Sequence, residues 1–197
     1  MSVVTLVSGG LDSLLVACLA KEEGLTQYPL FIDYGQRARE QEYAACLQGM
    51  RRLGLPVPAT AGLSGFGQLI RSGLTDVSQR VYEDAYTPGR NLLFLLTAAA
   101  YAAQVGADAV SIGLLHEDTS LFPDQTGAFL KSAESTLAMA VARPVRVLAP
   151  LAAFHKRDVV RLTEEKGLTG SYSCHLGEAE PCGACIACRE FVFEGEG

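Results

Sequence analysis

The start of the chain has a strand pattern that runs through a glycine-rich loop directly into a helix pattern. Residues 3–7 (Val-Val-Thr-Leu-Val) form a short β-branched run, residues 8–10 (Ser-Gly-Gly) interrupt it, and apolar residues then recur with helical spacing over residues 11–20. The alternation of strand and helix patterns continues along the chain, which is typical of strands connected by helices in a parallel sheet. The sequence therefore predicts an α/β fold, a parallel sheet with helices on both faces.

The other elements follow from the same periodicities and from the Gly and Pro residues that end them. Strands are predicted over residues 3–7, 28–32, 109–113 and 145–148, with a short strand near Ala59. Helices are predicted over residues 11–20, 37–53, 91–104, 126–140 and 156–166, with a short helix over 66–71. In the second helix, Arg39, Glu40 and Glu42 indicate a solvated face. A chain of 197 residues has room for one good core, so we expect a main domain over residues 1–169 and a short tail over residues 170–197.

The composition is acidic, with a formal net charge of −6 and an isoelectric point near 5.1. Proteins that hold long stretches of phosphate backbone carry a basic surface, so a small-molecule substrate is favoured over nucleic acid. No charged segment precedes a long apolar run at the N-terminus, and the most apolar stretch, residues 92–103, is shorter than a membrane crossing. We expect a cytoplasmic protein that does not enter a membrane.

The loop at residues 8–13 (Ser-Gly-Gly-Leu-Asp-Ser) is the strongest candidate for an anion site. It follows the first strand, and ligands of open parallel sheets collect at the carboxyl ends of strands, where N–H groups and helix N-termini are exposed. The two glycines allow close approach of a phosphate, the two serines add hydroxyl donors, and Asp12 can face a Mg²⁺ ion. The alternative is a simple Gly-Gly turn in which Asp12 caps the helix. Because the loop lacks the Lys of the Walker motif and the third glycine of the dinucleotide motif, it predicts a phosphate site of another class.

Four of the six cysteines lie close together near the C-terminus. With the spacing Cys-x7-Cys-x2-Cys-x2-Cys, they are Cys174, Cys182, Cys185 and Cys188. In a reducing compartment such clustering favours metal over disulfides, and four thiolates suit a structural Zn²⁺ site that would stabilise a tail too short to build its own core. Alternatives are an iron–sulfur cluster, a pair of disulfides, and His175 in place of Cys174 as a ligand. Cys18 and Cys46 lie in apolar helical patterns and are expected in the core.

The string Ser-Gly-Gly-Leu-Asp-Ser resembles the pyrophosphate loop of the N-type ATP pyrophosphatases. This superfamily includes synthetases of small molecules and several tRNA-modifying enzymes. The resemblance implies that ATP is cleaved between its α- and β-phosphates and that AMP is placed on a carbonyl or carboxylate oxygen. A nucleophile, often ammonia, then displaces the AMP.

Over nearly the whole chain the sequence is similar to the QueC family of 7-cyano-7-deazaguanine synthases. The strings that carry the similarity are residues 8–13, 33–37 (Asp-Tyr-Gly-Gln-Arg), 88–91 (Pro-Gly-Arg-Asn) with Phe94, Gly113 with Asp118, Pro123-Asp124 with Phe129, Pro150-Leu151, Lys156, and Ser173-Cys174 with the Cys-Gly-x-Cys-x-x-Cys end. The family fold is of the adenine nucleotide α-hydrolase type, Rossmann-like, which would make residues 1–169 a nucleotide-binding, adenylating domain. The implied reaction converts 7-carboxy-7-deazaguanine to the nitrile with ATP and ammonia, through an acyl adenylate, an amide and an adenylated amide.

The resemblance also implies roles for individual residues and for partners. Asp12, Arg90 and Lys156 would be catalytic, with Mg²⁺ near Asp12. The implied ATP-binding residues are Val7, Ser8, Gly9, Gly10, Leu11, Asp12, Ser13, Asp33, Gln36, Arg37, Arg90 and Asn91. Asp118, Phe122 and Asp124 would contact the deazaguanine substrate or, for the two aspartates, hold metal. Free ammonia is the expected nitrogen source, and a homodimer is implied.

The sequence departs from the family pattern mainly in the loop assigned to the substrate. Leu115 stands where the family has Asn, and Leu121-Phe122 stands in place of Gly-Tyr. Gln125-Thr126 replaces Cys-Arg, and smaller departures are Ala38 and Gly89. An adenylating enzyme that acts on a different carboxylate or joins a deazaguanine carboxylate to another amine is therefore an alternative. A tRNA-modifying adenylase would need an RNA-binding surface, and a non-catalytic binding module would be expected to have a damaged glycine loop.

Overall fold

The sheet has five parallel strands in the order β3-β2-β1-β4-β5. The computed structural model describes residues 1–191, so residues 192–197 of the predicted tail lie outside the described residues. The strands are β1 (Ser2–Leu6), β2 (Thr26–Asp33), β3 (Ala59–Gly62), β4 (Ala109–Ser111) and β5 (Arg146–Leu148). This arrangement confirms the predicted α/β fold with a parallel sheet.

Helices connect the strands in chain order. They are α1 (Leu11–Glu22), α2 (Arg39–Leu53), α3 (Ser64–Leu69), α4 (Arg90–Val105), α5 (Gly127–Ala140), α6 (Lys156–Glu165) and α7 (Ile186–Arg189). Between β4 and α5 the chain also forms two short 3₁₀ turns, Glu117–Thr119 and Pro123–Gln125. In the part of the chain that the structure describes, no helix is both long enough and apolar enough to span a bilayer.

The helices cover both faces of the sheet, because alternate residues of a strand point to opposite sides. Leu30 and Ile32 of β2 pack in one cluster with Leu95 of α4 and Leu137 of α5. Phe31, which lies between them in the strand, packs in a second cluster with residues of α1 and α2. A third cluster joins α1 to α6. The prediction of helices on both faces is therefore confirmed.

The observed bounds differ from the predicted ones by two residues at most. The two cysteines outside the tail, Cys18 and Cys46, are buried in the second cluster, as expected. Helix α7 was not predicted, because a single turn has no apolar periodicity to detect. Its start is fixed by the sulfur of Cys185, which accepts a hydrogen bond from the N–H of Cys188.

The strand order reverses at β1, since β2 and β4 lie on its two sides and the chain moves outward from it in both directions. In open parallel sheets the crevice at such a reversal, outside the carboxyl ends of the strands, is where ligands bind. The glycine loop at residues 8–13 follows β1 directly and lies at this reversal.

Candidate active site and cysteine cluster

A cavity of about 290 Å³ opens at the carboxyl ends of β1, β2 and β4. Helices α1, α4 and α6 and the C-terminal tail complete its wall. Eleven of the residues assigned to the site from the sequence line it, namely Val7, Ser8, Gly10, Leu11, Asp12, Ser13, Gln36, Arg90, Asn91, Phe122 and Lys156. The structure therefore brings the glycine loop and two of the predicted cations, Arg90 and Lys156, to one cavity.

The glycine loop is held in shape by its own serines. The N–H of Ser8 donates to Ser13 Oγ at 3.1 Å, and Ser13 Oγ donates to the carbonyl of Gly10 at 2.9 Å. Gly9 has φ of +85°, and a Cβ there would overlap the carbonyl of Glu42 in α2. Only glycine satisfies both conditions, so the loop can pack directly on α2.

The start of α1 is open toward the cavity. Its N-cap residue is Gly10, and no side chain, including that of Asp12, caps the first turn of the helix within residues 1–191. The free N–H groups of a first helical turn attract anions. The alternative of a Gly-Gly turn in which Asp12 caps the helix is wrong, because the Asp12 carboxylate binds the ammonium of Lys156 instead.

The partner of Asp12 is Lys156, the first residue of α6. Lys156 Nζ lies 2.9 Å from both carboxylate oxygens of Asp12 and 3.1 Å from Glu190 Oε2. Burial lowers the pKa of the Lys156 ammonium, but the two carboxylates outweigh this effect and the net pKa is raised. Lys156 is therefore a fixed positive charge beside the glycine loop. Glu190 had no signal in the sequence, because it follows the last cysteine in a segment without periodicity.

The sequence predicts Glu42 on a solvated helix face, but its half-buried carboxyl forms part of the cavity wall on the α2 side. Glu42 lines the cavity, and its Oε2 accepts from Gln36 Nε2 at 2.9 Å. Gln36 also accepts from the N–H of Tyr34 at 2.9 Å, which fixes its orientation. Burial raises the pKa of Glu42 to about 7, and the Gln36 hydrogen bond only partly offsets this shift. The assignment of Glu42 to solvent was wrong, because the glycine loop covers this turn of α2.

Arg90 and Asn91 enter the site from the start of α4. The guanidinium of Arg90 lies 5.9 Å from the ring centre of Tyr34 and 5.8 Å from that of Phe94. Asn91 is 4% exposed, and its side-chain amide donates to the carbonyl of Asp124 at 2.9 Å. The two aromatic faces hold Arg90 at the cavity without an acidic partner among the described residues.

Five of the predicted site residues do not line the cavity, namely Gly9, Asp33, Arg37, Asp118 and Asp124. Asp33 forms an ion pair with Arg39 at 3.1 Å. Arg37 donates to the carbonyl of Gly73 at 3.3 Å, and its Nε is buried without a partner among the described residues. Asp124, in the 3₁₀ turn Pro123–Gln125, packs against the start of α4, where its Oδ2 accepts from the N–H of Asn91 at 3.4 Å. Their predicted contacts with ATP or substrate stay predictions.

The tail brings together the predicted four cysteines. The four sulfur atoms all lie within 4.8 Å of one another; they belong to Cys174, Cys182, Cys185 and Cys188. His175 is not part of this group. Backbone N–H groups point at the sulfurs, from Cys185 to Cys182 Sγ at 3.3 Å and from Cys182 to Cys174 Sγ at 3.4 Å. Such N–H groups favour thiolates, and four converging thiols form the donor set that Zn²⁺ prefers. All the cysteines are free thiols, so the pair of disulfides considered from the sequence is not present.

The cysteine tail also forms part of the cavity. The N–H of Tyr172 donates to the carbonyl of Gly9 at 2.9 Å, which ties the tail to the glycine loop. Ile186 and Ala187 of α7 line the cavity, as does His175. Burial lowers the pKa of His175 to about 4, so its ring is neutral at physiological pH. The metal-type cluster and the glycine loop therefore support each other.

Solved structures with the same fold are distant in sequence. A predicted subunit of a tRNA methyltransferase from Methanocaldococcus jannaschii aligns with a TM-score of 0.57 and 20% identity, covering 84% of this chain and 75% of its own. The U34-tRNA thiolase NcsA from Methanococcus maripaludis, solved with its [4Fe-4S] cluster, has a TM-score of 0.59 and 17% identity, covering 96% of this chain and 63% of its own. These similarities show the fold alone.

Relatives with higher identity match nearly the whole length of the chain. The 7-cyano-7-deazaguanine synthase of Campylobacter concisus is 33% identical over 198 residues, covering 94% of this chain and 90% of its own length. The enzyme of the same name from Desulforamulus reducens is 30% identical over 210 residues, covering 98% of this chain and 92% of its own length. The model of the family described as queuosine biosynthesis protein QueC matches residues 2–192. This chain therefore belongs to the QueC family.

Proposed function

We propose that this chain is an ATP-dependent ligase that makes 7-cyano-7-deazaguanine from 7-carboxy-7-deazaguanine and ammonia. One observation carries the proposal: the glycine loop and the uncapped start of α1 face a cavity that is also lined by Arg90 and Lys156. The curated relatives of the chain that were found are 7-cyano-7-deazaguanine synthases. Exposed N–H groups and two cations suit the triphosphate of ATP and the negative charge that develops during adenyl transfer.

The phosphates of ATP would lie on residues 8–13. The N–H groups at the start of α1 and the hydroxyls of Ser8 and Ser13 would bind the pyrophosphate part, and Val7 and Leu11 would support the loop from below. Gln36 and Asn91 would orient the rest of the nucleotide. Gly9 would let the loop pack on α2, and Asp33 and Arg37 would support the cavity wall through their contacts with Arg39 and Gly73. Mg²⁺, when bound with ATP, would neutralise phosphate charge beside the carboxylate of Asp12.

Lys156 would change partners when ATP binds. In the protein alone, Asp12 and Glu190 hold its ammonium at the cavity wall. A phosphate placed on the glycine loop would compete for the same ammonium, and Asp12 would then be free to face Mg²⁺. Within residues 1–191 Arg90 has no acidic partner to release, and it would contact the α-phosphate directly.

The acceptor would enter beside Phe122. This ring lines the cavity and stacks on Tyr86 with a centre-to-centre distance of 5.0 Å. A planar deazapurine presents the kind of face that stacks on such aromatic rings. Asp124, two residues after Phe122, would accept a hydrogen bond from a ring N–H group of the base, and Asp118, four residues before Phe122, would contact the substrate directly or through a bound metal ion.

The reaction would proceed in two rounds of adenylation. The acceptor carboxylate attacks the α-phosphorus of ATP and pyrophosphate leaves; ammonia then attacks the carbonyl carbon and AMP leaves with formation of the amide. The amide oxygen then attacks the α-phosphorus of a second ATP and pyrophosphate leaves; loss of AMP, which takes the amide oxygen, and of the two amide protons gives the nitrile. The protein would act mainly by positioning the reactants and by offsetting the charge of the leaving groups with Arg90 and Lys156.

The cysteine cluster would hold a structural Zn²⁺ ion. Cys174, Cys182, Cys185 and Cys188 fill a tetrahedral set and leave no open position for chemistry. An iron–sulfur cluster is the competing occupant, and elemental analysis of the purified protein separates the two, since only the cluster brings iron and inorganic sulfide.

We further propose the setting in which the enzyme works. Residues 1–169 would be the adenylating domain and residues 170–197 the zinc-binding tail. The substrates would be small molecules in the cytoplasm, without nucleic acid, and the protein would function as a homodimer. The acidic charge of −6 supports the absence of nucleic acid.

The test is pyrophosphate release from MgATP and ammonia, with and without 7-carboxy-7-deazaguanine, with the product identified by mass spectrometry. Release that depends on the acceptor, together with a nitrile product, is the expected result. An amide that is not converted further would contradict the second round. Release only with another carboxylate or another amine would support a divergent adenylating enzyme and would assign the altered residues Leu115 and Leu121 to a different acceptor.

A further inference from the structure

Two of the three histidines of this chain converge on a single carboxylate outside the cysteine tail. His116 Nδ1 lies 2.6 Å from Asp118 Oδ1, and His155 Nε2 lies 3.2 Å from the same oxygen. The two imidazole rings are stacked, with centres 4.9 Å apart and planes 15° from parallel. One ligand atom from each of the three residues lies within 4.8 Å of the others.

We propose that His116, Asp118 and His155 bind a divalent first-row transition metal ion. Two imidazole nitrogens and one carboxylate oxygen are a donor set that Zn²⁺, Co²⁺ and Fe²⁺ prefer, whereas Mg²⁺ prefers oxygen ligands alone. The competing account is that the two ring N–H groups simply donate to the carboxylate. A bound ion would take the place of those two protons.

The three ligands are held together by the backbone. His116 and Asp118 lie at the 3₁₀ turn after β4, and His155 lies at the N-cap of α6. The N–H of His116 donates to the carbonyl of Phe154 at 3.0 Å, which ties the two segments one residue away from His155. On its other side, Asp158 Oδ2 accepts from the backbone N–H of His155 at 3.1 Å, which fixes the residue at the start of α6, whereas its 3.8 Å separation from His155 Nδ1 is too long for a hydrogen bond to the ring.

The site borders the cavity and is open to solvent. Leu114 and Lys156 line the cavity, and His116 and His155 are two residues and one residue away from them along the chain. The side chains of His116 and Asp118 are 40% and 60% exposed. Three protein ligands on an exposed rim leave coordination positions for water or for a carboxylate arriving from solvent, so the site is distinct from the closed cysteine cluster.

The two histidines of this site are not among the residues on which the similarity to the family rests. Asp118 belongs to the strings that carry the similarity, whereas His116 and His155 lie between those strings. The convergence of the two histidines on Asp118 is visible only in the tertiary structure, because 36 residues (119–154) lie between Asp118 and His155 in the sequence.

The test is a titration of the full-length protein with Co²⁺ after the cysteine cluster has been saturated with Zn²⁺. We expect one Co²⁺ per chain, with ligand-field absorption and without the thiolate-to-cobalt charge transfer that cysteine ligands would produce. His116→Gln and His155→Gln should each weaken binding at least about tenfold. Glu117→Gln is the matched control, since Glu117 accepts from the N–H of Gly127 at 3.2 Å and is not one of the three ligands.

Thermal unfolding of each variant checks that the fold is intact, and Asp118→Asn provides a third variant if one histidine substitution lowers stability. The inference would be overturned by the absence of Co²⁺ binding outside the cysteine cluster, or by equal titration curves for the wild type and the histidine variants. The experiment uses neither ATP nor an acceptor, so its failure would leave the proposed ligase activity untouched.

Discussion

Lys156 Nζ lies 2.9 Å from both carboxylate oxygens of Asp12 and thereby joins the start of α6 to the first turn of α1. The two residues are 144 positions apart in the sequence, yet they form the polar wall beside the glycine loop. Glu190 of the tail lies 3.1 Å from the same ammonium. A cation held between two carboxylates is preorganised to meet a phosphate, because it is already desolvated and fixed in position.

We expect Lys156→Met to reduce kcat/KM for pyrophosphate release at least about 100-fold, because the leaving group loses a fixed positive charge. Lys166→Met is the matched control, since Lys166 also forms a carboxylate pair, with Glu22 at 2.7 Å, but does not line the cavity. Steady-state kinetics of both variants provides the comparison. Equal activities would mean that Lys156 has only a structural role.

Gly9→Ala should lower the free energy of unfolding by at least about 2 kcal/mol, because it adds a strained φ and an overlap with the α2 backbone. Gly24→Ala is the control for the strain alone, since Gly24 has φ of +67° and no atom of residues 1–191 lies within 4 Å of the added Cβ. It should cost about 1 kcal/mol. Urea unfolding of the two variants measures the difference, and equal losses would contradict the close packing of the loop on α2.

The raised pKa of Glu42 predicts a pH dependence of stability. Its ordinary pKa of 4.5 rises to about 7 in the folded protein. Between these values the folded state holds a proton that the unfolded state has lost, so the free energy of unfolding should fall as pH rises through this range, by up to about 3 kcal/mol.

Glu42→Gln should remove this part of the pH dependence, and Glu40→Gln, an exposed neighbour on the same helix, should retain it. Urea unfolding at several pH values between about 4.5 and about 7 is the measurement. A slope that is unchanged in Glu42→Gln would assign the pH dependence to other groups.

Cys182→Ser should release the metal of the tail and lower solubility, because a three-thiolate set binds Zn²⁺ less well and the tail has little core of its own. Asp12→Ala should keep the metal and lose turnover. Metal analysis and pyrophosphate release, measured on both variants, separate the two effects. Cys18→Ala is the control for loss of a thiol, since Cys18 is a core residue of α1 outside the cysteine cluster. Full metal content in Cys182→Ser would show that Cys182 is not needed to bind the metal.

Much of the site was predictable because its signals are local. The glycine loop lies between a strand and a helix that each have a clear periodicity, and the four cysteines are recognisable by their spacing. Residues without such a local pattern were not predicted to line the cavity. Glu42 looks like any charged residue on a polar helix, and Glu190 and His175 follow no periodicity, although all three line the cavity.

The sequence by itself determined the α/β class, the extent of most elements, the glycine loop and the cysteine cluster, because each depends on residues that are near neighbours in the chain. Only the tertiary structure decided that Lys156 meets Asp12, that Glu42 turns inward under the loop, and that His116 and His155 share Asp118. The physical reason is that charge pairing and burial depend on which segments the parallel sheet brings to its carboxyl edge. Local periodicity shows how a segment folds, but not which distant side chain it will contact.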